Sequence, residues 1–292
     1  MLGLALADAL GAGHEGGVIA GSIGKILFTR GSGQLRWTDD TEMAIGLTES
    51  LVHNQGLNAE HLAKHWAERM QGMRGYGEGA SALLKLVKNG VDWREANRVT
   101  FPDGSFGNGA AMRAAPLGLF YARDEDKLRE AAEIASSITH AHPLGIQGGL
   151  LMAKATAIAL GERFDPDRFM DELYEFCDRD EFAFRLALAR TFLGEEPSLA
   201  MVRTQLGVSV VAHKSAVTAI YAFCRFADNF KAMMDYIIEL GGDTDTIGAM
   251  AGGMFGAKNG TAALPQDWLA KLEARDEIEK LARALYACPG RP

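Results

Sequence analysis

The sequence predicts an all-α fold. Apolar residues recur at helical spacing through most of the 292 positions, the alternating pattern of half-buried strands is nearly absent, and Gly, Pro or Asn punctuates the periodic stretches. No linker or change of composition divides the chain and no internal repeat is evident, so a single domain over residues 1–292 is expected. A hydrophobic content of 48% supplies a substantial core.

Charge and composition narrow the function classes. A formal net charge of -8 with no dense Lys or Arg cluster offers nothing to attract a phosphate polymer, so nucleic acid is not an expected partner. Cys177, Cys224 and Cys288 are an odd number at wide spacing and read as reduced core thiols. No apolar run approaches the roughly 20 residues that span a bilayer, and the first residues lack a basic secretory start. A soluble, cytoplasmic protein with no membrane partner is expected, its oligomeric state left open.

Leu2 to Leu10 reads as a short helix with one acid, Asp8, among small apolar residues. A buried acid needs partners, so Asp8 is expected to cap or hydrogen-bond a neighbouring loop. Gly11 to Trp37 is a long glycine-rich loop or flap, in which Glu15 is the only acid. Glu15 is either solvated or the working carboxylate of that flap.

Thr38-Asp39-Asp40 opens the next helix. Asp39 and Glu42 form a capping pair, and Met43, Ile45, Leu47, Leu51 and Val52 follow at helical period. One acid suffices for capping. A helix from about Asn58 to Gln71 carries Leu62, Trp66 and Met70 on one face, with His61 and His65 read as packing or surface residues. Arg74-Gly75-Tyr76-Gly77-Glu78-Gly79 is either an interhelical connection or a clamp for a planar group, and it precedes a helix over Ala80 to Val87 stopped by Asn89-Gly90.

Phe101 to Gly109 leads into a helix expected over Ala110 to Tyr121. Gly104, Ser105, Phe106, Gly107, Asn108 and Gly109 before a helix start suggest a phosphate cradle, because free backbone N–H groups point there. It is not a dinucleotide fingerprint, since no strand precedes it and the glycine spacing differs. After an amphipathic helix over Asp124 to Ser137, His140 and His142 stand two apart beside Pro143. They cannot share a helix face and no third soft ligand is near, which excludes zinc; one of them can donate to a substrate hydroxyl.

An apolar helix over Leu144 to Leu160 and helical segments between 165 and 200 carry no usable motif. Helices over His213 to Phe226 and Asn229 to Leu240 follow, the second ended by Gly241-Gly242. The helix from Thr246 to Lys258 is rich in Gly and Ala, which permits close packing at the centre of a bundle. The C-terminus adds helical stretches around Trp268 and over Ile278 to Tyr286.

Two stretches carry the chemistry. Gly241 to Gly248 packs Asp243, Thr244, Asp245 and Thr246 between glycines at a helix start, and Thr38 to Glu42 offers the same ligand types. Carboxylate, hydroxyl and carbonyl oxygens suit magnesium, calcium or manganese rather than zinc. Neither stretch alone closes a coordination shell. Together they can hold two ions in one cleft.

The ordered set Gly3-Leu4 through Asp8-Ala9-Leu10-Gly11 with Glu15, Trp37 to Thr41, Arg74 to Gly77, Ser105 to Gly109 through Met112-Arg113, Thr139 to Pro143, and Gly242 to Thr246 resembles the ADP-ribosyl-glycohydrolase family over most of the chain. The resemblance implies an all-α orthogonal bundle around a cleft holding two Mg2+ or Mn2+ ions, and hydrolysis of the bond between ADP-ribose and a protein side chain or small acceptor. It implies Thr38, Asp39, Asp40, Asp243, Asp245 and Thr246 as metal ligands, Glu15, Asp40 and Asp243 as catalytic, residues 104–109 on the diphosphate and nucleoside, His140 on ribose, and Tyr76 or Phe106 as a stacking partner. The loop at Arg74 looks more like the branch acting on O-linked ADP-ribose. Family members usually carry more helix before the first motif than this chain does. Two alternatives are a non-catalytic ADP-ribose binder and an isoprenoid-synthase type of enzyme; the latter needs Asp-Asp-x-x-Asp, whereas Thr41-Glu42-Met43 follows Asp39-Asp40 here.

Overall fold

A computed structural model describes residues 1–14 and 33–291; Glu15 and the rest of the glycine-rich stretch to residue 32 lie outside the described residues. In chain order the principal helices are α1 (Leu2–Gly11), α2 (Asp39–Asn54), α3 (Ala59–Arg69), α4 (Glu78–Lys88), α5 (Ala115–Phe120), α6 (Glu125–Ser137), α7 (Pro143–Ala159), α8 (Pro166–Phe176), α9 (Asp180–Gly194), α10 (Ala212–Arg225), α11 (Phe230–Leu240), α12 (Thr244–Asn259) and α13 (Arg275–Tyr286). Among the described residues the β pairings are two isolated bridges, Leu35 with Leu272 and Gly107 with Val211. The all-α expectation therefore holds.

Side chains at the element starts explain where several helices begin. Asn58, Asp124, Asp165 and Asn229 each accept a backbone N–H three residues on, satisfying a donor that has no partner within the helix. The helix expected over Ala110 to Tyr121 is different: residues 108–110 form a 3-10 turn, and an α-helix begins only at Ala115. Pro116 is the physical reason. It has no N–H to continue a helix from the preceding turn, yet it suits the first turn of a new one. The loop at 104–109 consequently does not run into a long helix.

Small residues set the centre of the fold. α1 and α12 are buried along nearly their whole length and meet backbone to backbone. A Cβ on Gly252 would lie 2.3 Å from the Gly3 carbonyl oxygen and 2.5 Å from Ala7 Cβ, so only glycine permits this approach. Gly252→Leu is expected to cost about 3 kcal/mol through overpacking, read by chemical denaturation. Around this pair α7, α10 and α11 pack against α12, α9 lies on α10, and α2, α3 and α4 form a second layer with α13 against α2. One hydrophobic cluster runs from Met1 to Cys288 through these layers.

A clamp built on Trp37, Arg74 and Glu273 orients the start of α2. Residues 35–37 lie along 271–273, with Leu35 N donating to Lys271 O at 2.8 Å and Glu273 N to Leu35 O at 2.9 Å. The buried Arg74 guanidinium stacks 3.6 Å over the Trp37 ring and grips both carboxylate oxygens of Glu273 at 2.8 and 3.0 Å. Its own carbonyl accepts from Asp39 N at 2.9 Å. The Arg74 loop thus works as a brace for the Thr38 to Asp40 stretch. No described helix is long and apolar enough to cross a membrane.

Candidate functional site

The starts of α2 and α12 converge beside α1. Thr38 caps α2, its Oγ1 accepting from Asp40 N at 3.3 Å. Asp243 occupies the corresponding position of α12 but makes no side-chain cap bond; its Oδ2 instead accepts from Asn108 Nδ2 at 2.6 Å. Gly242 makes this turn possible, with φ of +83° and no room for a Cβ, which would lie 2.2 Å from Val208 O. Asp243 N then donates to that same carbonyl at 2.9 Å.

Asp8 joins the two stretches from α1. It accepts from Thr38 N at 3.1 Å, Thr38 Oγ1 at 2.8 Å, Thr41 N at 3.1 Å and Thr41 Oγ1. It is the satisfied buried carboxylate that the sequence reading expected, capping α2 from another helix. Asp8→Ala would leave two backbone N–H groups at the start of α2 unpaired. Thermal or denaturant melts should show a loss of about 3 kcal/mol.

Oxygens of Asp8, Asp40 and Asp245 lie within 4.8 Å of one another, all three residues buried. Thr38 Oγ1 lies 2.8 Å and Thr246 Oγ1 3.5 Å from Asp40 Oδ2, while Asp245 Oδ1 accepts from Thr246 N at 2.9 Å. Asp40 Oδ1 is buried with no hydrogen-bond partner among the described residues. Burial pushes the Asp40 carboxyl well above the usual carboxylate range, and the charges of Asp8, Asp39 and Asp243 push it the same way. Burial also raises Asp8 to about 6 despite its four donors. Carboxylates gathered this closely without a cation among them are costly. An orphaned carboxylate oxygen in an all-oxygen donor set fits a hard divalent ion.

This cluster forms one end of a cleft of about 410 Å³. Thr38, Asp39, Asp40, Asp243, Asp245 and Thr246 all line it, as do Ser105, Gly107, Asn108, Gly109 and His140. The loop is held by pairing with a distant strand-like segment, Asn108 N donating to Val210 O at 2.9 Å and Ala212 N to Phe106 O at 3.1 Å. Tyr76, Gly104 and Phe106 are not brought to the cleft wall. The Tyr76 hydroxyl turns to Glu42 Oε2 at 2.7 Å, Gly104 backs onto the main chain of Ala141 and His142, and Phe106 stands half exposed, edge-on to the His142 ring.

Two residues that sequence reasoning passed over line the cleft: Phe101, an aromatic 44% exposed, and the buried Arg113. Phe101 lies at the head of the glycine loop, but nothing in its spacing separates it from Phe106. Arg113 lies 4.1 Å over the Trp66 ring and donates to Thr139 Oγ1, and burial brings its guanidinium down to about 9. Thr139 Oγ1 lies 2.7 Å from His140 Nδ1. Burial and then the Arg113 charge drive His140 down to about 3, so the imidazole is neutral, with Nδ1 engaged by Thr139 and Nε2 beside Gly107 and Gly109.

Comparison with known proteins decides the family. A model described as ADP-ribosylglycohydrolase matches residues 1–291. The chain belongs to the ADP-ribosylglycohydrolase family. This glycohydrolase is 31% identical to ADP-ribosylhydrolase ARH3 of Gallus gallus, covering 98% of this chain and 91% of that protein. It is 30% identical to the ADP-ribosyl-(dinitrogen reductase) glycohydrolase of Rhodospirillum rubrum, covering 99% and 95% of the two chains. The solved structure of an ADP-ribosylglycohydrolase-related protein complex superposes with a TM-score of 0.74 at 28% identity, covering 98% of this chain and 94% of the other. The resemblance found in the motifs and the all-α fold of a hydrolase family are both upheld.

Proposed function

We propose that this glycohydrolase cleaves the glycosidic bond between ADP-ribose and a protein side chain or small acceptor, with two Mg2+ or Mn2+ ions held by Thr38, Asp39, Asp40, Asp243, Asp245 and Thr246. The observation that carries the reading is the partnerless Asp40 Oδ1 within a buried carboxylate cluster at the end of a nucleotide-sized cleft. When bound, such ions anchor vicinal hydroxyls and lower the pKa of a coordinated water.

The chain's own groups supply the rest. Asn108 keeps the Asp243 carboxylate turned to the cleft, and Asp8 does the same for Thr38. His140 offers a neutral ring nitrogen to hydrogen-bond a ribose hydroxyl, without adding a charge that would repel the ions. Ser105, Gly107, Asn108 and Gly109 bring backbone groups and small side chains to the wall where a diphosphate would lie. Asp40 and Asp243 would supply negative charge to stabilise the positive charge developing at the anomeric carbon, and Glu15 is the flap carboxylate that would act as base or ligand. An O-linked acceptor agrees with the absence of an acid from Arg74 to Gly77.

The test is release of ADP-ribose from serine-linked, arginine-linked and O-acetyl substrates, with and without magnesium or manganese. Release that requires the ion is expected. Tight metal-dependent binding of ADP-ribose with no release from any substrate would instead make the chain a binder. Phe101 is the exposed aromatic available to stack on the base. Phe101→Ala is expected to raise KM about tenfold with little change in kcat, as loss of one base-stacking contact would.

A further inference from the structure

A second groove, of about 530 Å³, opens on the far side of Val210. It shares Val210 and Asp243 with the cleft, so it begins at the carboxylate end and not at the Phe101 end. Its floor is tied to the site directly, because Val208 O accepts from Asp243 N. Arg185, Arg203 and Lys214 line it.

None of these three cations pairs with a carboxylate among the described residues, whereas Arg129, Arg168, Arg190 and Arg283 elsewhere on the surface all do. Arg185 is held by main-chain carbonyls, Nε to Leu206 O at 3.3 Å and Nη1 to Glu181 O at 3.1 Å. The Lys214 stem lies across Gly207, where an added Cβ would meet it at 2.8 Å. Neighbouring His213 stays neutral, driven down to about 4 by burial and then by Arg185. The charge of the groove therefore comes from the three long side chains, with Glu181 the acid nearest Arg185 on the same helix. On a chain of net charge -8, three cations lining one groove with no carboxylate paired to them among the described residues are complementary to an anion.

We propose that this groove seats the acceptor side of the substrate and favours peptides with Asp or Glu flanking the ADP-ribosylated residue. The inference rests on the hydrolase reading above: if the ions hold the ribose at Asp243, the acceptor leaves the cleft past Val210. A peptide fits better than a nucleic acid. Val208 and Val210 line the groove along with the cations, and a long polyanion would meet the chain's negative charge beyond the groove.

The experiment compares kcat/KM for serine-ADP-ribosylated peptides with acidic and with neutral flanks, using the full chain with magnesium. O-acetyl-ADP-ribose, which cannot reach the groove, is the reference substrate. The unaltered protein should prefer the acidic peptide about tenfold at low salt, and the preference should shrink as salt rises. Arg203→Gln with Lys214→Gln should remove most of it, with O-acetyl-ADP-ribose turnover unchanged. Lys214→Met, which keeps the packed stem, should act in the same direction. Equal rates on the two peptides, or a preference that survives the double variant, would overturn the groove assignment while leaving the hydrolase reading intact. So would a loss confined to ADP-ribosylated oligonucleotide ends. Failure of the hydrolase reading is distinct, since O-acetyl-ADP-ribose would then not turn over at all.

Discussion

Asp243→Asn is expected to lower ADP-ribose release by more than about 100-fold, beyond the 10- to 100-fold typical when only a partner of a metal ligand is lost. The geometry makes the effect specific. Asp243 does no capping work for α12, and its side-chain contact is with Asn108 at 2.6 Å, so the amide can be accommodated by a flip of Asn108 without disturbing the helix start. Circular dichroism and the melting temperature without metal should stay near those of the parent, while calorimetric titration with manganese shows weakened binding. An unchanged rate would remove Asp243, and with it the proposed site.

Asp40→Asn should separate the electrostatic cost of the site from its function. The Asp40 carboxyl is raised well above its ordinary value by burial and by Asp8, Asp39 and Asp243. A carboxyl raised on folding contributes stability that is present below the unfolded pKa and is lost as pH climbs through the folded value. In chelator, the variant should therefore melt above the parent, by roughly 4 °C at about pH 8, and the gap should close toward about pH 5. Magnesium should reverse the order. The parent gains stability by binding, about 2.7 kcal/mol at 100 times Kd, and the variant gains little. A gap that does not change with pH would contradict the buried-charge account.

The two acid stretches were legible because chemistry at a helix start is local: a run of Asp and Thr before an apolar period names both the ligand type and the element that presents it. For the same reason most of the helices that were given bounds fall close to their sequence-read positions. The departure at Ala110 to Tyr121 was also written locally, in Pro116. Asp8 was legible as a buried acid that needs partners, but its partners Thr38 and Thr41 are thirty and more residues away and only packing identifies them. Tyr76 and Phe106 looked suited to stack on a ring. In the structure the Tyr76 hydroxyl reaches Glu42 and Phe106 stands half exposed beside His142.

What the sequence determined by itself is the periodicity, the helix starts, the hard-oxygen ligand set and the ordered motifs that carry the family resemblance. Each depends on residues within a turn or two of one another. Only the tertiary structure decided that Asp8, Asp40 and Asp245 share one buried site, that Phe101 rather than Phe106 faces the cleft, and that Arg113 and His140 meet at the Thr139 hydroxyl. The first of those facts depends on the glycine-lined contact of α1 with α12, which brings together positions more than two hundred residues apart and whose geometry no local pattern encodes.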